Sequence, residues 1–325
     1  MTLPRLASLL AEHGLTGVAE DPLVNAGYSG SALSRLVRAD GAAFVLKRMS
    51  IERDWIMRAT EDEECREAAF AEVAHGLRGG VRVPDVSATR DGDEFALLMD
   101  DITARMLPEG RVTATQLDTI ITRMAELHAT AAPDGVPWCD QRKRLLLLTP
   151  RIAAIAQAYG APVARDLIEG WRQFERHASP GARAVIGRLT DEPAPLLGAL
   201  GTLPAAFLHG DLKFDNIGLD GEGRMWLIDW AMTLVAPPAV ELGWFLAINS
   251  RRLPQGVGLD AVLGRYADAA GIRGELRALQ DALAVTCGLL LRGWRKGLDA
   301  EEGEAEELRW WCERVEAAAR YVDVT

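Results

Sequence analysis

The chain has 325 residues, more than one ordinary hydrophobic core accommodates, so two lobes sharing a cleft are expected. Its 49% hydrophobic and 26% charged residues are those of a globular protein, and they exclude a disordered chain, a collagen or a small disulfide scaffold. A formal charge of −11 excludes a general binder of nucleic acid or anionic membrane, which needs clustered Lys and Arg, and favours cationic or neutral partners.

The first fourteen residues, MTLPRLASLLAEHG, pattern as an amphipathic helix rather than a secretory leader, and no later apolar run is long enough to span a bilayer. Residues 23–49 predict three antiparallel strands: LVNAGYSGS, then ALSRLVRAD, a turn at Asp40-Gly41, and AAFVLKRM. From Thr60 to Leu77, apolar residues at three- and four-residue steps predict one helix capped by Thr60 and ended by Gly79-Gly80. Strands follow at Asp85–Thr89 and Glu94–Asp100, around the turn at Asp91-Gly92, giving a five-stranded sheet with one helix.

Beyond residue 102 helical periods dominate, at Gln116–Ala131, Pro162–Ala178, Leu259–Ala270, Glu275–Trp294 and Glu304–Tyr321. The division is therefore an N-terminal lobe of residues 1–102 and a helical lobe of residues 103–325. There is no internal repeat. The exception in the helical part is AFLHGDLKFDNIGLDGEGRMWLIDWA at 206–231, short apolar strands alternating with loops rich in charge and glycine. The four cysteines, Cys65, Cys139, Cys287 and Cys312, have no CxxC spacing and read as reduced core residues.

Within that insert stand Asp211, Asn216 and Asp229. Phosphoryl transfer from a nucleotide needs metal ions to neutralise phosphate charge and a carboxylate to orient the attacking hydroxyl. Magnesium takes hard oxygen ligands, often only one or two from protein, which an amide and a carboxylate supply.

HGDLKFDNIG followed by LIDWA resembles the catalytic loop and metal loop of the aminoglycoside phosphotransferase and choline kinase group, which has the protein kinase fold. The resemblance implies an α+β, bilobal protein: a small antiparallel β lobe and a larger, mainly helical one, with ATP in the cleft between them, GTP remaining open. It also implies Asp211 as catalytic base, Lys213 at the transferred phosphate, His209 as a buttress of the loop, and Asn216 and Asp229 as ligands of Mg²⁺. Lys47, ending the apolar strand FVLK, needs a phosphate or carboxylate for its ammonium. The resemblance points to Glu67 as its helix partner, with Glu63 and Glu64 within about a turn as alternatives.

Gly27, Ser29 and Gly30 lie where kinases carry a phosphate-approaching glycine loop, although NAGYSGS falls short of GxGxxG and a plain hairpin turn also explains it. ALLMDDIT resembles the family hinge, placing Asp100 and Ile102 at the nucleobase; Asp100-Asp101 also reads as a helix-capping pair. Related small-molecule kinases show Asp-Leu-Ala after the metal loop, the Asp bracing the catalytic loop. This chain departs, with Glu241-Leu242-Gly243, which puts in question the bracing role of Glu241 but not the chemistry. The acids between Asp299 and Glu307 read as a solvated helix start rather than a patch for polyamines, and Trp294, Trp310 and Trp311 as core rather than a cation cage.

The resulting expectation is a kinase moving the γ-phosphoryl group of ATP to a hydroxyl of a small molecule such as an aminoglycoside, amino alcohol or sugar. A catalytically silent nucleotide-binding scaffold is the alternative. A protein kinase lacks support, because no activation segment or APE sequence follows Asp229.

Overall fold

A computed structural model describes residues 5–23, 29–77 and 79–322. The N-terminal part runs α1 (Leu6–Glu12), β1 (Asp21–Leu23), β2 (Ala32–Val37), β3 (Ala43–Met49), α2 (Trp55–Ala59), α3 (Arg66–Val73), β4 (Val81–Arg82), β5 (Val86–Asp91) and β6 (Glu94–Asp100). Then come α4 (Ala114–His128), α5 (Gln141–Leu146), α6 (Pro150–Ala158), α7 (Ala164–His177), α8 (Pro180–Asp191) and α9 (Ala194–Leu200). The insert supplies β7 (Ala206–Leu208), β8 (Ile217–Leu219), β9 (Met225–Leu227) and β10 (Leu234–Ala236). The chain closes with α10 (Pro238–Asn249), α11 (Leu259–Ala269), α12 (Gly274–Glu301) and α13 (Ala305–Ala318).

The fold is bilobal: a small antiparallel lobe on a larger helical one. The five-stranded sheet has the order β1-β2-β3-β6-β5, with β3 in the middle. Period-two alternation sends Phe44 and Leu46 to one face, where they pack with Leu9, Leu36 and Leu98 under α1. The opposite face carries Met49, with Met57, Cys65, Ala68, Ala71 and Leu97 beneath α2 and α3. Lys47 sits between Val45 and Met49, so the pleat aims it at α3 and the cleft. Its neighbours in register are Leu33 and Leu97.

Two expectations are corrected here. The helix predicted from Thr60 to Leu77 begins only at Arg66, as α3, and gives way to a 3₁₀ turn at Ala74–Gly76. Thr60 closes α2, its hydroxyl donating to Ile56 O, and α3 starts afresh when both carboxylate oxygens of Asp62 accept from Arg66 N. Between them Glu61 and Cys65 adopt positive φ of 53° and 54°. The predicted strand over 23–31 keeps only Leu23 in a described strand: 24–28 lie outside the described residues, and Ser29–Ser31 are not extended.

The helical lobe surrounds α12, held by α7 on one side and α10 on the other. Backbone contact at these crossings demands small residues. A Cβ on Gly243 of α10 would lie 2.2 Å from Ala284 O, and one on Gly170 of α7 would lie 2.3 Å from Trp294 O. β4 crosses from the N-terminal part to lie parallel to β9, tying the small lobe to the insert. Among the described residues no helix is long and apolar enough to cross a membrane. All four cysteines are free and buried.

Gly243→Ala is expected to destabilise the protein by about 1–3 kcal/mol, since its methyl meets backbone rather than a movable side chain. A urea midpoint unchanged from wild type would contradict the close crossing of α10 and α12.

Candidate active site

Lys47 is the hub of the cleft. Its Nζ donates to Glu67 Oε2 at 2.6 Å and to Asp229 Oδ1 at 2.9 Å, joining β3, the first turn of α3 and the loop after β9. Glu63 and Glu64 precede α3 and are exposed, so Glu67 is the acid that reaches the lysine. Burial opposes the charge on Lys47, but Asp229 and Glu67 outweigh it and raise its pKa. Burial also pushes the Glu67 carboxyl up, against the pull of Lys47. At Asp229 burial is overridden by Lys47 and Lys213, which hold the carboxyl well below its usual range. Asp229 adopts φ +67°, a conformation that costs a non-glycine residue about 1–3 kcal/mol and clusters at functional sites.

The HGDLKFDN loop holds the second group. Asn216 Nδ2 donates to Asp211 O at 2.9 Å and to Asp211 Oδ2 at 3.1 Å, and Lys213 Nζ donates to the same Oδ2 at 3.0 Å. His209 is fully buried, and that burial lowers its pKa. As neutral imidazole its Nε2–H donates to Ile228 O while Nδ1 accepts from Asp211 N–H. Gly210 has φ +82°, and a Cβ there would lie 1.9 Å from Met232 O, so only glycine fits.

Sequence reasoning missed part of the support for this loop. Glu241 Oε1 accepts from Gly210 N–H, and Oε2 from the ring of His128, whose other nitrogen meets Tyr266 OH at 2.7 Å. Glu241 therefore braces the loop despite the departure from Asp-Leu-Ala. Arg144 Nε donates to Gly210 O at 2.8 Å. An aromatic column, Phe70 on Trp230 at 4.2 Å and Trp230 beside His209 at 4.4 Å, connects α3 to both loops. Arg66 donates to Ala231 O and Pro137 O, pinning α3 to the segment after Asp229.

A cleft of about 550 Å³ brings together Lys47, Glu67, Asp100, Ile102, Asp211, Lys213, Asn216 and Asp229, with Ser29 at its edge. Gly27 lies outside the described residues. Gly30 is not part of the cleft wall: its φ is +96°, and a Cβ would lie 2.6 Å from Arg53 O, so a local packing demand explains this glycine. At the hinge, Asp100 N donates to Asp85 O and Asp101 N to Ala43 O, while Ile102 N makes no hydrogen bond among the described residues. Asp101 also caps the following turn by accepting from Thr103 N.

The acids of 299–307 lie away from the cleft. They straddle the end of α12 and the start of α13, where Asp299 and Glu304 pair with Arg251, Asp299 also with Arg295, Glu301 with His177 and Glu307 with Lys296. Trp310 and Trp311 pack at α13, and Trp294 is core. The tryptophan that lines the helical side of the cleft is Trp244, which no sequence signal marked.

Among the described residues no cluster of three or more His, Cys, Asp or Glu forms a metal cage. The donor chemistry still fits magnesium: Asn216 directs its amide nitrogen to Asp211, its Oδ1 takes no hydrogen bond among the described residues, and one oxygen of Asp229 remains beyond the Lys47 contact.

A two-lobed kinase-like fold, with a lysine–glutamate pair, a loop carboxylate and an amide-plus-carboxylate pair in its cleft, defines a phosphoryl-transfer protein. The chain belongs to the phosphotransferase enzyme family, whose model matches residues 23–284. Comparison with curated protein sequences gives no significant match. An aminoglycoside phosphotransferase from Streptomyces rimosus, solved with ADP and streptomycin, is similar in structure, with TM-score 0.54 and 18% identity over 88% of this chain and 97% of that one. A choline kinase from Cryptosporidium parvum gives TM-score 0.54 and 10% identity over 98% and 94%. At these identities the likeness establishes the fold.

Asp54 lines the same cleft and caps α2, accepting from Ile56 N and Met57 N; burial pushes its pKa up to about 6. Because the folded value lies above the unfolded one, its contribution is most favourable below about pH 4 and is lost as pH rises through about 6. Asp54→Asn keeps a cap acceptor. It is expected to raise the unfolding free energy by about 2 kcal/mol at pH 8 and by little at pH 4; equal gains at both pH values in urea melts would contradict the burial of an ionised Asp54.

Proposed function

We propose that the protein is a Mg²⁺-dependent kinase that moves the γ-phosphoryl group of ATP to a hydroxyl of a small molecule. Residues 1–102 form the nucleotide-binding lobe and residues 103–325 the catalytic and acceptor lobe. The observation that carries this reading is the convergence of Lys47–Glu67, Asp211–Asn216 and Asp229 in one cleft from four separate chain segments.

In this reading the nucleobase lies against the hinge, with Ile102 N–H as donor. Lys47, held by Glu67, meets the phosphates, and Asn216 Oδ1 and Asp229 hold magnesium, which supplies charge neutralisation at the β- and γ-phosphates. Asp211 orients the acceptor hydroxyl. The hydroxyl oxygen bonds to the γ-phosphorus as the bond to the β–γ bridging oxygen breaks, the hydroxyl proton passes to Asp211, and ADP leaves. Lys213, 3.0 Å from Asp211, lies where it meets the transferred group. Positioning and fixed charge supply most of the acceleration.

ADP release should depend on an added hydroxyl acceptor and fall by about 10²–10⁴-fold in Asp211→Asn. Near wild-type turnover in that variant would refute the base assignment, and nucleotide binding with no turnover on any acceptor would favour a silent scaffold.

A further inference from the structure

Helix α2 belongs to the small lobe by sequence, yet it packs into the large one. β3 pairs Phe44 with Asp100 at the hinge and runs away from it, which places Met49 about 17 Å from that end. Residues 50–54 then lead into α2, so the helix sits at the end of the cleft opposite the hinge. There Trp55, with Ile56 and Ala59, joins the core of the helical lobe, while Met57 packs with Met49 and Leu97 under the sheet. Two outer contacts fasten the helix down: the Arg58 guanidinium lies 4.5 Å from the centre of the Tyr159 ring on α6, and Glu61 pairs with Lys143 of α5 at 2.5 Å.

Lys47, midway along β3, holds Asp229 at the centre of the cleft, so the space between that pair and α2 lies beyond the proposed phosphate site. Ile56 of α2, Leu147 and Leu148 after α5, and Trp244 and Ile248 of α10 line the cleft, and all five are apolar or aromatic. The same volume of about 550 Å³ has to hold nucleotide and acceptor together, with the hinge at one end and α2 at the other. The acceptor's share is small. The carboxylates near α2 are engaged within the protein: Asp54 accepts from the Ile56 and Met57 amides, and Asp62 from the Arg66 amide. Arg144 also lines the cleft and forms no ion pair among the described residues, so an ammonium would meet a like charge where the acids are already occupied.

Resting on the kinase reading above, we propose that α2 forms a wall of the acceptor site and that the acceptor is a compact, non-cationic hydroxyl compound with an apolar face. Its bulk is limited by Ile56 from the small lobe and by Leu148 and Trp244 from the large one. The reacting hydroxyl meets Asp211 and the apolar body lies toward α2. A small-lobe helix thereby takes part in the choice of acceptor, and polycations are excluded twice, by bulk and by charge. One methylene in an apolar pocket changes selectivity about 10–200-fold, so trimming or enlarging Ile56 resets the preferred size.

The experiment compares kcat/KM for ADP release, with Mg²⁺ and ATP, across matched alcohols. Choline is set against its carbon isostere, in which tert-butyl replaces trimethylammonium. Phenylethanol and naphthylethanol extend the neutral series in bulk, and streptomycin and hygromycin B serve as bulky cations. The neutral isostere should be preferred over choline by about tenfold or more, and neither antibiotic should turn over. Ile56→Ala should shift the ratio of naphthylethanol to the tert-butyl alcohol about tenfold or more toward the larger probe, and Ile56→Trp should shift it the opposite way, with AMP-PNP affinity reporting that both variants are folded. Preference for choline, turnover of either antibiotic, no turnover of any neutral probe, or a size ratio that neither variant moves overturns the proposal. Turnover of choline or an antibiotic would leave the kinase reading standing and overturn only this one, whereas failure to bind AMP-PNP removes both.

Discussion

One buried ammonium between two carboxylates organises this molecule. Lys47 contacts Glu67 and Asp229 at hydrogen-bond distance, and each of the three comes from a different element. Such a cluster is expensive to desolvate and loses several kcal/mol if one partner is removed, so the surrounding structure must hold all three in place. Much of the local architecture serves that end. The pleat of β3 turns Lys47 toward α3, the break at Glu61–Cys65 lets α3 begin just before Glu67, and a positive φ turns Asp229 toward the lysine. Two acids share one ammonium, which leaves the site negative where phosphate-bound cations are proposed to complete it.

The loop that carries Asp211 is built with the same economy. Glu241 takes the Gly210 amide, Arg144 takes the Gly210 carbonyl, and neutral His209 joins the Asp211 amide to the carbonyl just before Asp229. Phe70, Trp230 and His209 stack from α3 into both loops, so movement of the helix that bears Glu67 is mechanically linked to the loop that bears Asp211. A kinase-like cleft thus emerges from a polar brace on one side and an aromatic one on the other.

The legible parts of the sequence were those in which local chemistry and global position coincide. HGDLKFDN and LIDWA are each contiguous, and the apolar runs in FVLK and EFALLMD marked the central strands. The break within 60–77 escaped because the apolar steps run on through it and the left-handed residues are Glu61 and Cys65 rather than glycine. Helix α10 escaped because Ala239–Ala247 is buried on every side, leaving no periodic polar face to read. The brace by Glu241 was in question because of a one-carbon difference from aspartate that the longer side chain accommodates. Arg144, Trp244 and Arg292 lie in three helices far apart in the chain, so only the fold shows that they share a wall.

The most direct test of the central cluster is nucleotide affinity with and without magnesium, measured by calorimetry with AMP-PNP on wild type and Asp229→Asn. The account expects magnesium to tighten binding in the wild type and to have little or no effect in the variant, while Lys47 and Glu67 keep some metal-free affinity. An undiminished magnesium effect in Asp229→Asn would contradict the role given to Asp229 and, with it, the reading of the cleft as a metal-assisted phosphoryl-transfer site.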